Sequence, residues 1–174
     1  MANNMTWFYD DETGHYVVKG ARILFPNFQG AEQDYNPAGK RNFRLQVNSD
    51  LAEELRSQGI SVREREGRDD TEETQYLVKI GVYPTVDIIL RDGNKNNRMV
   101  IDNKDHENDD GDLIDGEFSK GHIKNGDISV EFHISRNTRV PNGSLYTRAD
   151  VVILPVRKSK LLEDIEDDDD DLPM

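Results

Sequence analysis

Apolar and polar residues alternate with a period of two along much of this 174-residue chain. Residues 15–25, 42–47, 74–83, 86–92, 127–135 and 144–156 carry the pattern; all are rich in Val, Ile, Tyr and Phe and bounded by Gly, Pro, Asn and Asp. These stretches predict strands. Over 127–135, Ile128, Val130, Phe132 and Ile134 alternate with Ser129, Glu131, His133 and Ser135, the pattern of a sheet with one buried and one wet face. Asp92-Gly93 predicts a hairpin connection within residues 91–100. One short helix is predicted over 49–59, with Ser49 or Asp50 as N-cap, Leu51 and Leu55 on one face, and Gly59 at its end. Residues 63–74 read as a charged, mobile excursion. Five to seven strands with one small helix predict a mainly β fold, either a closed barrel or a sandwich.

Strand parity assigns faces. Phe43, Leu45 and Val47 share one face, as do Tyr76, Val78, Ile80 and Val82, and as do Leu145, Ala149, Val151 and Ile153; these are the expected core. Phe25, two residues from Ile23, falls on the same core parity. The opposite faces then carry Arg44, Lys79, Tyr83, Tyr146 and Arg148. Residues 25–41 form a long loop in which Phe28 and Tyr35 mix with Lys40 and Arg41, and a second basic hairpin over 135–143 brings Arg136 and Arg139. Phe28, beyond Pro26, is expected to be unburied. Aromatic rings offer bases a platform, and interleaved Lys and Arg track phosphates without reading sequence, so this surface predicts a single-stranded nucleic-acid site. Taken one at a time, each of these residues also fits a plain solvated sheet face.

Charge at first opposes that reading. The chain has 35 acidic and 22 basic residues, a net −13. Eight of the acids lie within 163–171, and eight more within 102–117 against Lys104 alone, which leaves 19 acids and 21 bases elsewhere. The body is close to neutral, so a local cationic groove is compatible with an acidic total. The absence of cysteine excludes disulfides, thiolate zinc sites and cysteine nucleophiles, and suits a reducing cytosol. No apolar stretch reaches the roughly 20 residues of a membrane span, and the polar start lacks a signal-peptide core. The expectation is a soluble, intracellular protein with no membrane partner. Its predicted organisation is a flexible arm over 1–14, one domain over 15–157 and an acidic, disordered tail over 158–174.

The tail raises its own question, because Asp167, Asp168, Asp169, Asp170 and Asp171 run into the apolar Leu172-Pro173-Met174. A solubilising run of charge has no use for such a tripeptide. The stretch GARILFPNFQG with the following GKRNFRLQV, the late RVPNGSLYTRADVVILPV and the acidic tail together resemble the single-stranded DNA-binding proteins of tailed bacteriophages. That resemblance spans most of 15–157. It implies an OB-fold, sequence-independent binding and protection of single-stranded DNA in phage replication or recombination, and a home in the cytoplasm of the bacterial host. It also implies a tail that competes with DNA for the groove and recruits a polymerase, helicase or primase, and it leaves room for a homo-oligomer. The ending resembles the Asp-Asp-hydrophobic-Pro-Phe tail of bacterial relatives, with Met in place of Phe, so a thioether would fill the pocket that a ring fills there.

Other chemistries fit less well. Residues 106–117 place acids at several positions of a calcium loop, but His106 stands at position one and no helix is predicted before it. Asp87 with 102–104 lacks the Pro-Asp pairing of a metal nuclease. His15, His106, His122 and His133 show no ligand spacing, and there is no phosphate loop or nucleophile elbow. No enzyme, cofactor or metal is predicted. From a different class, a virion or assembly β-sandwich, or an acidic chaperone of a basic protein, fits the same composition.

Overall fold

A computed structural model describes residues 5–31, 40–67, 74–93, 95–99, 101, 109–139, 141 and 143–157. Among them are nine strands: β1 (Thr6–Asp10), β2 (His15–Asn27), β3 (Arg41–Val47), β4 (Arg63–Arg65), β5 (Gln75–Val82), β6 (Asp87–Asp92), β7 (Lys95–Met99), β8 (Ile128–Arg136) and β9 (Leu145–Pro155). Two helices accompany them, α1 (Ser49–Ser57) and α2 (Asp109–Ser119). The six alternating stretches are all strands. Three further strands and α2 go beyond the expectation: β1 lies in the predicted N-terminal arm, β4 in the charged excursion, β7 completes the hairpin after β6, and α2 begins inside the acidic block. β1 is held by antiparallel pairing to β2 from Thr6↔Lys19 to Asp10↔His15, so residues 6–10 are part of the sheet and not a free arm. The tail over 158–174 lies outside the described residues.

The sheet runs β4-β5-β3-β2-β8-β9-β6-β7, with β1 added to β2. A parallel pairing of β5 with β9, at Ile80↔Thr147 and Gly81↔Arg148, joins the path back on itself. Strands β5, β3, β2, β8 and β9 therefore form a ring. The Thr147 hydroxyl donates to the Lys79 carbonyl at the seam, which makes this buried threonine part of the closure. The predicted turn at Asp92-Gly93 joins β6 to β7, whose register runs to Asp92↔Lys95.

Phe28, Phe43, Phe132, Ile23, Leu45, Ile80 and Leu154 are among the fully buried side chains that fill the interior. Phe43, Leu45 and Val47, and Val78, Ile80 and Val82, point inward as parity requires, while Tyr76 is half-buried against the core. On β9 the expected face is overturned after Ala149: Val152 and Leu154 are buried, not Val151 and Ile153, and Leu145 is half-buried. The cause is a bulge. Phe132 pairs with Ala149 and Glu131 with Val151, so Asp150 is an extra residue and every later side chain changes face.

α1 is capped one residue earlier than expected, where the Asn48 carboxamide accepts the Leu51 amide at 2.9 Å. It buries Leu51, Ala52 and Leu55, and the Tyr16 hydroxyl donates to Glu54 Oε2 at 2.7 Å, tying β2 to the helix. Burial first, and the Glu54 bond second, push the Tyr16 phenol well above its ordinary range.

Candidate nucleic-acid interface

The outward residues of β3, β5 and β9 make one surface. Register sets Arg44 directly opposite Lys79, Asn42 opposite Gly81, and Gly81 beside Arg148. Like charges facing each other across a strand pair are unfavourable unless an anion joins them. Burial, and secondarily Arg63, pull the Arg44 guanidinium below its usual value, and burial, Arg44 and Lys40 do the same to Lys79. Among the described residues neither Arg44 nor Lys79 forms an ion pair. Among the described residues this cationic pair has no counter-charge.

The aromatic part lies alongside. The Arg148 guanidinium sits 4.2 Å from the centre of the Tyr83 ring, and Tyr83 meets Tyr146 with ring centres 6.3 Å apart. Burial, with Tyr146 second, raises the Tyr83 phenol, so the group stays neutral and presents a ring face. Gly81 makes room for it: a methyl at position 81 would come within 3.0 Å of the Tyr83 ring. A cleft of about 390 Å³ opens here, lined by Lys40, Arg41, Lys79, Tyr83 and Tyr146 together with Ile60 and Ser61. Lys40 is exposed at the mouth.

Phe28 and Phe25 exchange roles relative to the sequence expectation. Phe28 is fully buried and stacks on Phe43 and Phe118 at 5.4 and 6.0 Å, so no base can reach it. Phe25 is 63% exposed, with φ of +51°. The β2–β3 register shifts between Leu24 and Asn27, and this bulge reverses parity at the end of the predicted strand. Leu24 pairs with Arg44 and so shares the outward face of the Arg44–Lys79 pair, and Phe25 follows it in the chain at the bulge. No signal in the alternation marks this bulge.

Arg41 is likewise corrected. β3 starts at this residue, on the parity of Phe43, so it is a strand residue buried at 3% exposure where a loop position was expected, and it lines the cleft next to Lys40. Arg136 and Arg139 are exposed at the far end of the β8–β9 hairpin, and Arg136 donates to the Gly143 carbonyl at 3.0 Å, outside the cleft. Tyr35 and Asp167–Asp171 with Leu172, Pro173 and Met174 lie outside the described residues.

A family model described as "Putative phage ssDNA-binding domain" matches residues 10–89. No curated protein matches the chain. Among solved structures, the fold is similar to the single-stranded DNA-binding protein from bacteriophage Enc34 in complex with ssDNA. There the TM-score is 0.53 at 9% identity, over 91% of this chain and 98% of that one. The same phage protein, in a second structure, gives 0.53 at 10% identity over 91% and 87%. Its C-terminal truncation gives 0.50 at 10% identity over 91% and 99%. The family model over residues 10–89 thus supports the resemblance to the single-stranded DNA-binding proteins of phages, and the solved structures show a similar fold over nine-tenths of the chain.

Proposed function

We propose that this chain binds single-stranded DNA without reading its sequence, on the face made by Arg44, Lys79, Tyr83, Tyr146 and Arg148, with Lys40 at the cleft mouth and Phe25 at the flank. The observation that carries the reading is the Arg44↔Lys79 pairing beside a ring over which Arg148 is stacked. Phosphates would supply the missing counter-charge, and bases would stack on the tyrosines. The matched family model and the phage protein solved with ssDNA point the same way. The five-stranded ring, read as an OB-type barrel, gives such a face its usual support. It also fits a sandwich of two separate sheets poorly, which weakens the assembly-protein alternative.

On this reading the protein is a binder and not an enzyme, and it protects DNA in phage replication or recombination in the host cytoplasm. The acidic run over 163–171 competes for the cationic face when DNA is absent, and Leu172, Pro173 and Met174 then engage a replication partner when DNA displaces the run. The deciding experiment titrates oligo-dT at two salt concentrations into the wild type and the Arg44→Glu, Lys79→Glu, Arg148→Glu triple variant. The variant is expected to bind all sequences more weakly, with a salt slope shallower by about 0.7 for each phosphate that the protein no longer neutralises. Undiminished affinity in the triple variant would place the site elsewhere.

A further inference from the structure

His15, His133 and Asp150 come from three different strands and 135 residues of chain, yet each offers a ligand atom within 4.8 Å of the others. The β8–β9 bulge is the device that brings them together. Asp150, its extra residue, turns to the outward face, where His133 stands on β8 and His15 on the start of β2. The Asp150 carboxylate lies 2.9 Å from His133 Nδ1 and 3.5 Å from His15 Nε2, and the two imidazoles stack at 5.5 Å. On the other side of the His15 ring, Nδ1 is buried without a hydrogen-bond partner, and Glu131 Oε1 stands 3.7 Å from it.

We propose that these residues form a binding site for a divalent transition-metal ion of the zinc class, with His15 Nε2, His133 Nδ1 and Asp150 as ligands, and Glu131 orienting His15 from behind. A tetrahedral ion about 2.0–2.1 Å from each ligand needs ligand atoms roughly 3.3 Å apart; the two separations from Asp150, 2.9 and 3.5 Å, straddle that spacing, and the two imidazole nitrogens lie within 4.8 Å of each other. The donor set of two imidazoles and one carboxylate suits zinc, nickel, copper or iron(II) better than calcium or magnesium. A carboxylate on the non-ligating nitrogen fixes the tautomer and strengthens the ligand, and Glu131 Oε1, at 3.7 Å, needs to move in by about 0.5–1 Å on metal binding to accept the proton of the otherwise unsatisfied His15 Nδ1. The three ligands keep between 23% and 30% of their side-chain surface, so an ion can enter and a water can complete the tetrahedron. Bound there, the ion would clamp β2, β8 and β9, three strands of the ring.

The test uses the full chain, Zn²⁺ and Co²⁺. Residues 102–117 and 163–171 attract cations of any kind, so the readout must report imidazole ligands. One equivalent of Co²⁺ is expected to give the visible absorption of a tetrahedral complex, to be displaced by Zn²⁺ and to persist in excess Ca²⁺ and Mg²⁺. Zn²⁺ should also raise the melting temperature of the wild type. Asp150→Asn, which keeps the side chain's size and an acceptor for His133, and His133→Gln should each weaken Zn²⁺ by at least about tenfold, and Glu131→Gln by a smaller factor. An octahedral Co²⁺ spectrum in the wild type, or equal Zn²⁺ affinity in wild type and a folded Asp150→Asn variant, would overturn the site. No nucleic acid enters these measurements, so their failure leaves the proposed DNA face untouched.

Discussion

Phe25 and Phe28 are three residues apart and have opposite fates, and the difference is one of backbone, not of side chain. Phe25 holds φ at +51°, a left-handed conformation that costs a bulky residue on the order of 1–3 kcal/mol, while exposing its ring. Strain kept at an exposed aromatic is what a contact surface would show. Phe25→Gly relaxes the backbone and removes the ring, so it is expected to leave thermal stability unchanged or higher and to weaken oligo-dT binding by about 1–3 kcal/mol. Phe28→Ala should instead cost about 3–5 kcal/mol of stability by opening a void beside Phe43 and Phe118. Calorimetry and a fluorescence titration on both variants check this, and a Phe25→Gly protein that binds DNA like the wild type removes Phe25 from the interface.

At the scale of elements, alternation suffices for six strands and fails wherever the chain adds a residue. β3 and β5 run without bulges and their faces are legible, so parity alone puts Arg44, Lys79 and Tyr83 on the outer surface. β2 carries two register shifts and β9 one, and parity therefore misplaces Phe25 and the part of β9 beyond Asp150, while Phe28 is misread as a loop residue. The His15, His133 and Asp150 cluster is illegible for the same reason: ligand spacing along a chain means nothing when register and a bulge do the assembling. α2 escapes notice because its acids mask its short apolar face, in which Ile114 is buried and Phe118 packs on Phe28.

α2 is also fastened by a carboxylate. Asp115 Oδ1 and Oδ2 accept the Phe28 and Gln29 amides at 2.9 and 3.0 Å, and a methyl at Gly111 would strike the Phe28 carbonyl. Burial raises the Asp115 pKa above its ordinary value, with Asp112 adding to the rise, although the two amides oppose it. The folded state therefore keeps this proton to higher pH than the unfolded chain does. Between the unfolded and folded values the native state binds more protons, so stability falls as pH rises through that window and is recovered below it. Urea melts from pH 3 to 7 on wild type and Asp115→Asn should show this descending segment, just above the ordinary carboxylate range of about 4, in the wild type only. Parallel profiles would mean that Asp115 titrates as an exposed carboxylate does.

Over the whole molecule, the charge is divided between a nearly neutral body and two acidic segments. If the run over 163–171 competes with DNA, its removal matters most where screening is weak. A chain ending at 162 is expected to bind oligo-dT more tightly than the full chain at low salt and to match it at high salt. Deleting only Leu172, Pro173 and Met174 should leave DNA affinity unchanged and abolish capture of a replication protein in a pull-down. Equal affinities for the 1–162 and full-length chains at low salt would refute the competition.

The seam between β5 and β9 has a consequence for how the chain is made. It joins Ile80 to Thr147, 67 residues further on, and β9 pairs with β8 and β6 as well. Contacts so distant in sequence cost loop entropy before they return any stabilisation, which slows folding. On the ribosome the delay is set by synthesis: between the ends of β5 at Val82 and β9 at Pro155 lie 73 residues, or roughly 4–15 s at 5–20 residues per second. During that interval β5, and later β8 once it is made, present unpaired edges that any neighbouring nascent chain could join, so this protein's exposure to misassembly is concentrated in the seconds before its last strand emerges.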